Sequence, residues 1–387
     1  MRLLSSLRAL IARPGLLFAL ATVVVVVAVT VGSGPGAVAS GLVGSVVGLL
    51  IAHAALQLGM LLGAVLCGAR VHRLVIGAGS RLWERTSPRR TVVVRALPIV
   101  LSVAVGPGRR PVRPRMWGAG VVSALAGVAA AVVLVVLAAD PFWTGAAAGA
   151  VATVLHTLIP RETAGSTSTG WVLLNLLRLT GERAARLDAA PLVDQALDAL
   201  NAGDVDTAEQ VADRLAREFP ELRSATYTRV SVLEARGRYA EALSLSLGLM
   251  QAPDTSQKDA ALTLAGMAGL AAAAVEAKQL PAEMGLPVAR RALEDAVAMG
   301  YPRYKTDGTR ALLALLEGDA ETAVQLARSG AESGDHLLSR ADDLATLARA
   351  HMANGDNRAA RAALAEAEKL APWWPRVAAT RARLEVR

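Results

Sequence analysis

The chain has 387 residues, 53% of them hydrophobic, with a mean hydropathy of +0.40 and a formal net charge of +8, which allows two or three domains and points away from a wholly soluble protein. Residues 1–180 hold 16 Arg, no Lys and three acids (Glu84, Asp140, Glu162), whereas residues 181–387 hold 25 basic and 30 acidic residues, so the positive excess belongs to the apolar half and reads as a topology signal, with no nucleic acid expected as partner. Cys67 is the only cysteine, which excludes an intrachain disulfide.

In chain order, Leu16–Val31 is the first apolar segment, following Arg2, Arg8 and Arg13 and ending at the turn-forming run 32–36. Its basic start, apolar core and Ala37-Val38-Ala39 also fit a cleavable signal peptide. The charge-free run 37–69 follows, with a span expected at about 42–69 behind a Gly-rich loop or tilted entry. Gly44-x-x-x-Gly48 has the spacing that lets helices approach closely, and tight packing within the monomer is the simpler use of it. Residues 116–139 and 144–160 are two further spans.

The stretch 70–115 carries 11 Arg and one acid, so it is expected in the cytoplasm together with the amino terminus and everything after Arg161. Within it, residues 91–105 are β-branched and interrupted by Arg95 and Pro98, which predicts a strand or hairpin. Ala-, Gly- and Arg-rich usage with four Lys points to a bacterial chain, hence a multi-pass inner-membrane protein with lipid contacts.

From about Ala184 the pattern changes to amphipathic helices of 12–20 residues, broken by Gly-Asp or Gly-Arg pairs. Gly203 and Gly237 lie 34 residues apart, and Gly318 and Gly355 lie 37 apart. The units close at Pro220, Pro253 and Pro372, with small residues at Ala208, Ala242 and Ala323. Spacing between 254 and 317 is stretched and leaves the repeat count there open. This helix–turn–helix unit resembles the tetratricopeptide repeat. One helix pair cannot bury its own apolar face, so stacking creates a common core and a concave groove suited to protein partners, with a rigid spacer as the plainer use. Trp373-Trp374 is expected to cap the last repeat.

A second resemblance rests on Leu56-Gln57-Leu58-Gly59-Met60, followed by Gly68-Ala69-Arg70-Val71, and later by Thr157-Leu158-Ile159-Pro160 and Thr169-Gly170. The order is similar to the site-2 protease type of intramembrane zinc metallopeptidase over roughly residues 45–180. There a His-Glu-Leu-Gly-His helix precedes a Gly-x-Arg-Val segment, and an Asn-x-x-Pro element precedes an Asp-Gly pair. The resemblance implies that Leu56 and Met60 stand for the two His ligands, Gln57 for the general base, Thr157 for the Asn and Thr169 for the Asp ligand. Leu56 has no donor atom, Met60 offers only a soft thioether, and Gln57 cannot exchange a proton near neutral pH. No catalytic residue, metal site or cofactor is therefore expected. His53 and His156 are the residual metal candidates, and each is read more simply as hydrogen-bonded between packed helices. The resemblance also implies that the 91–105 element belongs to a sheet that can take an extended peptide or a single-span membrane protein as an added strand.

Together these readings predict a mainly α chain. Residues 1–36 form an N-terminal span and turn, 37–180 a polytopic helical membrane domain with a small β element in its cytoplasmic loop, and 181–387 a cytoplasmic α-solenoid of tetratricopeptide-like repeats. The expected function is a catalytically inactive scaffold or adaptor. A divergent active metalloprotease and a transporter or channel component are the alternatives.

Overall fold

The computed structural model describes residues 14–87, 90–163, 166–250, 255–334 and 336–385. Arg2, Arg8, Arg13 and Pro253 lie outside the described residues. The chain divides into two compact units, Met1–Pro191 and Leu192–Arg387.

In the first unit, α1 (Pro14–Thr30) leads through a 3-10 turn at Val31–Ser33 into α2 (Pro35–Cys67). Of the loop and the tilted entry expected at the start of the second apolar run, the loop is ruled out: Pro35 starts a single 33-residue helix. Pro in the first turn costs no hydrogen bond, because that N–H has no helical partner, and the helix stops at Gly68, which adopts φ 71°. The strands β1 (Arg70–Ser87) and β2 (Arg90–Gly106) come next, then α3 (Val112–Val136) and α4 (Pro141–Leu158). Asp140 caps α4 by accepting the Trp143 N–H at 3.0 Å. The short pair β3 (Glu162–Thr163) and β4 (Ser166–Thr167) and the helix α5 (Thr169–Asn175) complete this part. By length and composition α2 and α3 can each cross a membrane.

Small residues set the bundle. A Cβ on Gly44 would overlap the Phe142 carbonyl, one on Gly48 the Ala146 carbonyl, and ones on Gly145 and Gly149 the carbonyls of Gly41 and Ser45. Backbones of α2 and α4 therefore meet directly, in register and running the same way. Further along, Gly59 meets Ser123 and Ala126, Gly63 meets Ala119, and Gly127 meets Leu56, so α3 runs antiparallel to α2. The spacing at Gly44 and Gly48 is thus used within the chain. On α1, the Val26 side chain is buried against Gly41.

The β element is larger than the stretch 91–105. Its partner is 70–87, which the arginine content had made a loop. Val71–Ile76 pairs with Leu101–Val105, Arg73–Ile76 also pairs with Thr91–Val94, and Arg81–Ser87 pairs with Arg90–Arg95. Both strands bend to do this, β1 at Gly77 and Gly79 with φ of 100° and 84°, a region open to glycine.

The second unit, entered through α6 (Gly181–Ala202), is a run of helix pairs. They are α7 (Val205–Glu218), α8 (Arg223–Ala235), α9 (Tyr239–Met250), α10 (Gln257–Glu276), α11 (Ala282–Ala298), α12 (Asp307–Leu316), α13 (Ala320–Ser333), α14 (Leu337–Ala353), α15 (Asn357–Leu370) and α16 (Pro375–Glu385). The uncertain stretch 254–317 resolves into α10–α11 and the first half of α12–α13. Four intra-pair turns place Gly203, Gly237, Gly318 or Gly355 at positive φ, and in the α10–α11 turn Lys278 takes that place at φ 60°. Each turn closes with the same backbone bonds, as Gly237 N–H to Glu234 O (2.8 Å) and Lys278 N–H to Val275 O (3.0 Å) illustrate. Asp204, Asp319 and Asp356 then cap the next helix by accepting the N–H three residues on. The small residues Ala208, Ala242, Ala323 and Ala360 are fully buried at the helix crossings. Helix α10 also has the length and hydropathy of a span, but its apolar residues Met267, Ala268, Leu270 and Ala271 are buried in the repeat core.

Candidate functional site

Helix α2 carries Leu56, Gln57 and Met60, and the three side chains have separate fates. Leu56 is buried against Gly127, beside Val154, and its carbonyl accepts the Ser123 hydroxyl at 2.8 Å. Met60 is half-buried on the same helix. Gln57 uses its carbonyl Oε1 to accept the backbone N–H of Val103 at 2.8 Å. One turn earlier, His53 Nε2 lies 3.0 Å from the Leu101 carbonyl oxygen, so that bond requires the Nε2–H tautomer. Two side chains at i and i+4 on one helix face thus hold alternate backbone groups of one strand.

This contact moves the β element from where an interfacial loop would lie. His53 is 14 residues before Cys67, about 21 Å along the helix. β1 runs back beside α2, and β2 reaches the middle of the helix. Two stretches of β2 are flanked on both sides. Residues 91–94 lie between 81–87 and 73–76, and 101–103 lie between β1 and α2. Residues 81–87 pair only with 90–95 in the register, and there Leu82 and Trp83 are exposed at 68% and 49%.

The later positions are structural as placed. Thr157 Oγ1 donates to the Thr153 carbonyl (2.9 Å) within α4. Thr169 is buried in the first turn of α5, whose cap, Ser168, accepts the Trp171 N–H at 3.2 Å. Ser168 also donates to Ile159 O and accepts from Arg161 N–H, tying the turn after Pro160 together. A Cβ on Gly170 would overlap the Leu158 carbonyl, which accounts for glycine there. His156 Nε2 is 2.8 Å from Arg161 Nη1. Cys67 is half-buried, and its carbonyl accepts Arg115 Nη1 at 2.8 Å. Among the described residues no three His, Cys, Asp or Glu side chains converge as a metal site.

A second site was not legible in the sequence. In the repeats, Arg376 on α16 is only 4% exposed. Its Nε and Nη2 donate to both oxygens of Glu276 at 2.5 and 3.1 Å, Nη2 also to Thr346 Oγ1 at 2.9 Å, and Nη1 to Asp342. Arg349 pairs with Glu276 as well. Trp374 is buried and its indole N–H donates to Asp342 Oδ1 at 2.8 Å. Trp373 packs on Gly203 and Pro375 on Gly237, in the turns of the first two pairs. Residues 373–376 therefore do more than cap the last repeat, since they touch four of the helix pairs. Glu234 and Asp343 stand by the same charges. Desolvation, and then the neighbouring Asp342 carboxylate, push each up to about 7 against the opposing pull of Arg376. Arg376 and Glu276 are 100 residues apart, and no local pattern signals such a pair.

Residues 193–248, over the α6–α7 and α8–α9 pairs, match the tetratricopeptide repeat model. The second unit carries repeats of tetratricopeptide type. The crystal structure of a thermophilic TPR protein of Thermus thermophilus aligns with 51% of this chain and 100% of its own, at 17% identity and a TM-score of 0.39. No curated protein matches the chain. Tetratricopeptide repeats are a protein-interaction module, so partner binding is the function class these repeats bring.

Proposed function

We propose that this chain is a membrane-embedded, non-proteolytic adaptor, a site-2 protease-like scaffold that holds a membrane partner and recruits a cytoplasmic one through its repeats. The bond from Val103 N–H to Gln57 Oε1 is the observation that carries the reading. The side chain at the general-base position holds a strand of its own chain, and a carboxamide there cannot cycle a proton. Leu56, at a ligand position, fills the helix interface instead.

The proposed topology has α1–α4 spanning a bacterial inner membrane, with the amino terminus and the repeats in the cytoplasm. Two observations support it, the span-like length and composition of α2 and α3 and the 11 Arg between residues 70 and 115. In that setting residues 101–103 of β2 lie beside the middle of α2, where non-helical backbone is tolerated only against protein or in a wet cavity. The docking edge for an extended or single-span partner is then 81–87 rather than 91–94 or 101–103, because those stretches of β2 are flanked on both sides.

A photocrosslinking amino acid in place of Leu82 tests this in the native membrane. The adaptor reading expects crosslinks to an intact membrane protein. Chelator-sensitive cleavage of that protein would replace it with the active-protease alternative.

A further inference from the structure

We propose that the repeats contain a binding site for an arginine-bearing segment that enters a helix, and that Trp373–Arg376, where α16 begins, occupies it as a ligand in cis. This deepens the adaptor reading and rests on the repeats being its partner-binding part.

The site is built for a planar fork. Glu276 takes Nε and Nη2 side by side, Thr346 takes the second Nη2 hydrogen, and the side chain and backbone carbonyl of Asp342 take Nη1. Such a set matches a guanidinium and not an ammonium. The acceptors come from α10 and α14, on separate repeats, so the stack of repeats forms the site. The aromatic anchors follow the same logic. Trp374 shares Asp342 with Arg376, and Trp373 covers the Gly203 turn, where a side chain in place of glycine would collide with the indole.

Two observations separate a recognition site from simple core filling. The first is charge. Glu234, Glu276, Asp342, Asp343 and Asp307 gather where Arg376 and Arg349 are the deeply placed cations, with Arg310 at the edge on Asp307. Buried ion pairs give little net stability against an apolar filling of the same volume, while they discriminate strongly among occupants. The second is Tyr239. Its hydroxyl is buried, feels the charges of Asp342, Arg376 and Glu234, and has no hydrogen-bond partner among the described residues. A buried hydroxyl without a partner is uncommon and marks a donor that a different occupant can use. The repeats thus hold an acidic, aromatic-flanked arginine site already filled by residues 373–376 of the same chain, and a partner must displace that segment to enter.

The test uses a fluorescently labelled peptide of residues 371–385 and the full chain in detergent, read by anisotropy. Wild type is expected to bind weakly because its own segment competes. Arg376→Ala, which keeps the Trp374 anchor, is expected to bind at least 10-fold more tightly, and a chain ending at Leu370 more tightly still. The same peptide carrying Arg376→Lys is expected to lose at least 10-fold. Equal binding by wild type and Arg376→Ala overturns the proposal, and so does equal binding of the arginine and lysine peptides. If the shortened chain loses its helical circular dichroism, the Arg376→Ala comparison decides alone. Peptide binding without capture of any membrane partner would leave this site standing and remove the adaptor reading. Partner capture without peptide binding would do the reverse.

Discussion

Gln57 holds a strand of its own chain through a single side-chain oxygen. Its bond to Val103 needs only an acceptor, so Gln57→Glu should preserve it and Gln57→Ala should remove it. The alanine variant should lose about 1 kcal/mol locally and expose the Val103 amide to faster hydrogen exchange, read by mass spectrometry on peptides covering β2. Unchanged exchange would mean that the strand is held by something else. The glycine contacts give a sterner test. A side chain at Gly48 must push against the Ala146 carbonyl, which is backbone and cannot swing away. Gly48→Val should destabilise the bundle by about 1–3 kcal/mol, seen as a lower thermal midpoint in detergent. Gly36, which has open space around its Cβ direction, should accept Ala with no measurable change.

At the scale of elements, what the sequence revealed depended on whether its signal was local. The helix pairs at Gly203, Gly237, Gly318 and Gly355 were legible because one glycine at positive φ, often followed by a capping Asp, marks each turn. The pair α10–α11 was not, because Lys278 stands where the glycine is expected and Gly285, further along, supplies the close crossing against Val275 and Leu280. A lysine in the left-handed region is strained, so Lys278→Gly should stabilise the repeats by about 0.5–1 kcal/mol, while Gly237→Ala should cost about 1 kcal/mol. Thermal unfolding followed by helical circular dichroism would show opposite shifts, and a loss of stability in Lys278→Gly would contradict this reading of the turn. Residues 70–87 were illegible for a different reason. Arginines along them gave a charge signal for a loop, and their pairing with 91–105 depends on bends at Gly77 and Gly79 that no alternation pattern records. The contacts made from α2, such as Gln57 on Val103, join residues 46 apart, and no local pattern records them.

For the whole molecule, charge organises two different interiors. The first unit contains few ionisable groups in its helices, and small residues bring those helices together. The second buries carboxylates around Arg376, with a pH consequence. Glu234 and Asp343 titrate at about 7 in the folded chain, above their ordinary values of 4.5 and 3.8. Between those limits the folded state binds more protons than the unfolded state, so stability falls as pH rises through that window. The groups facing them are Asp342 and Arg376, together with Asp307 for Asp343. The thermal midpoint of the repeats should drop by about 5 °C or more between mildly acidic and mildly alkaline buffer. Glu234→Gln should flatten that slope, and a midpoint that stays level over the same range would show that these carboxyls are ionised throughout.

The proposal at the centre is that the first unit sits in a membrane and holds a partner there without cutting it. The most direct measurement expresses the chain with the membrane protein crosslinked from Leu82 and follows that protein's length, with and without a zinc chelator. The account predicts full-length partner in both conditions, captured by wild type and released by substitutions along 81–87. A shortened partner that disappears with chelator, or with changes at His53 and His156, would contradict it.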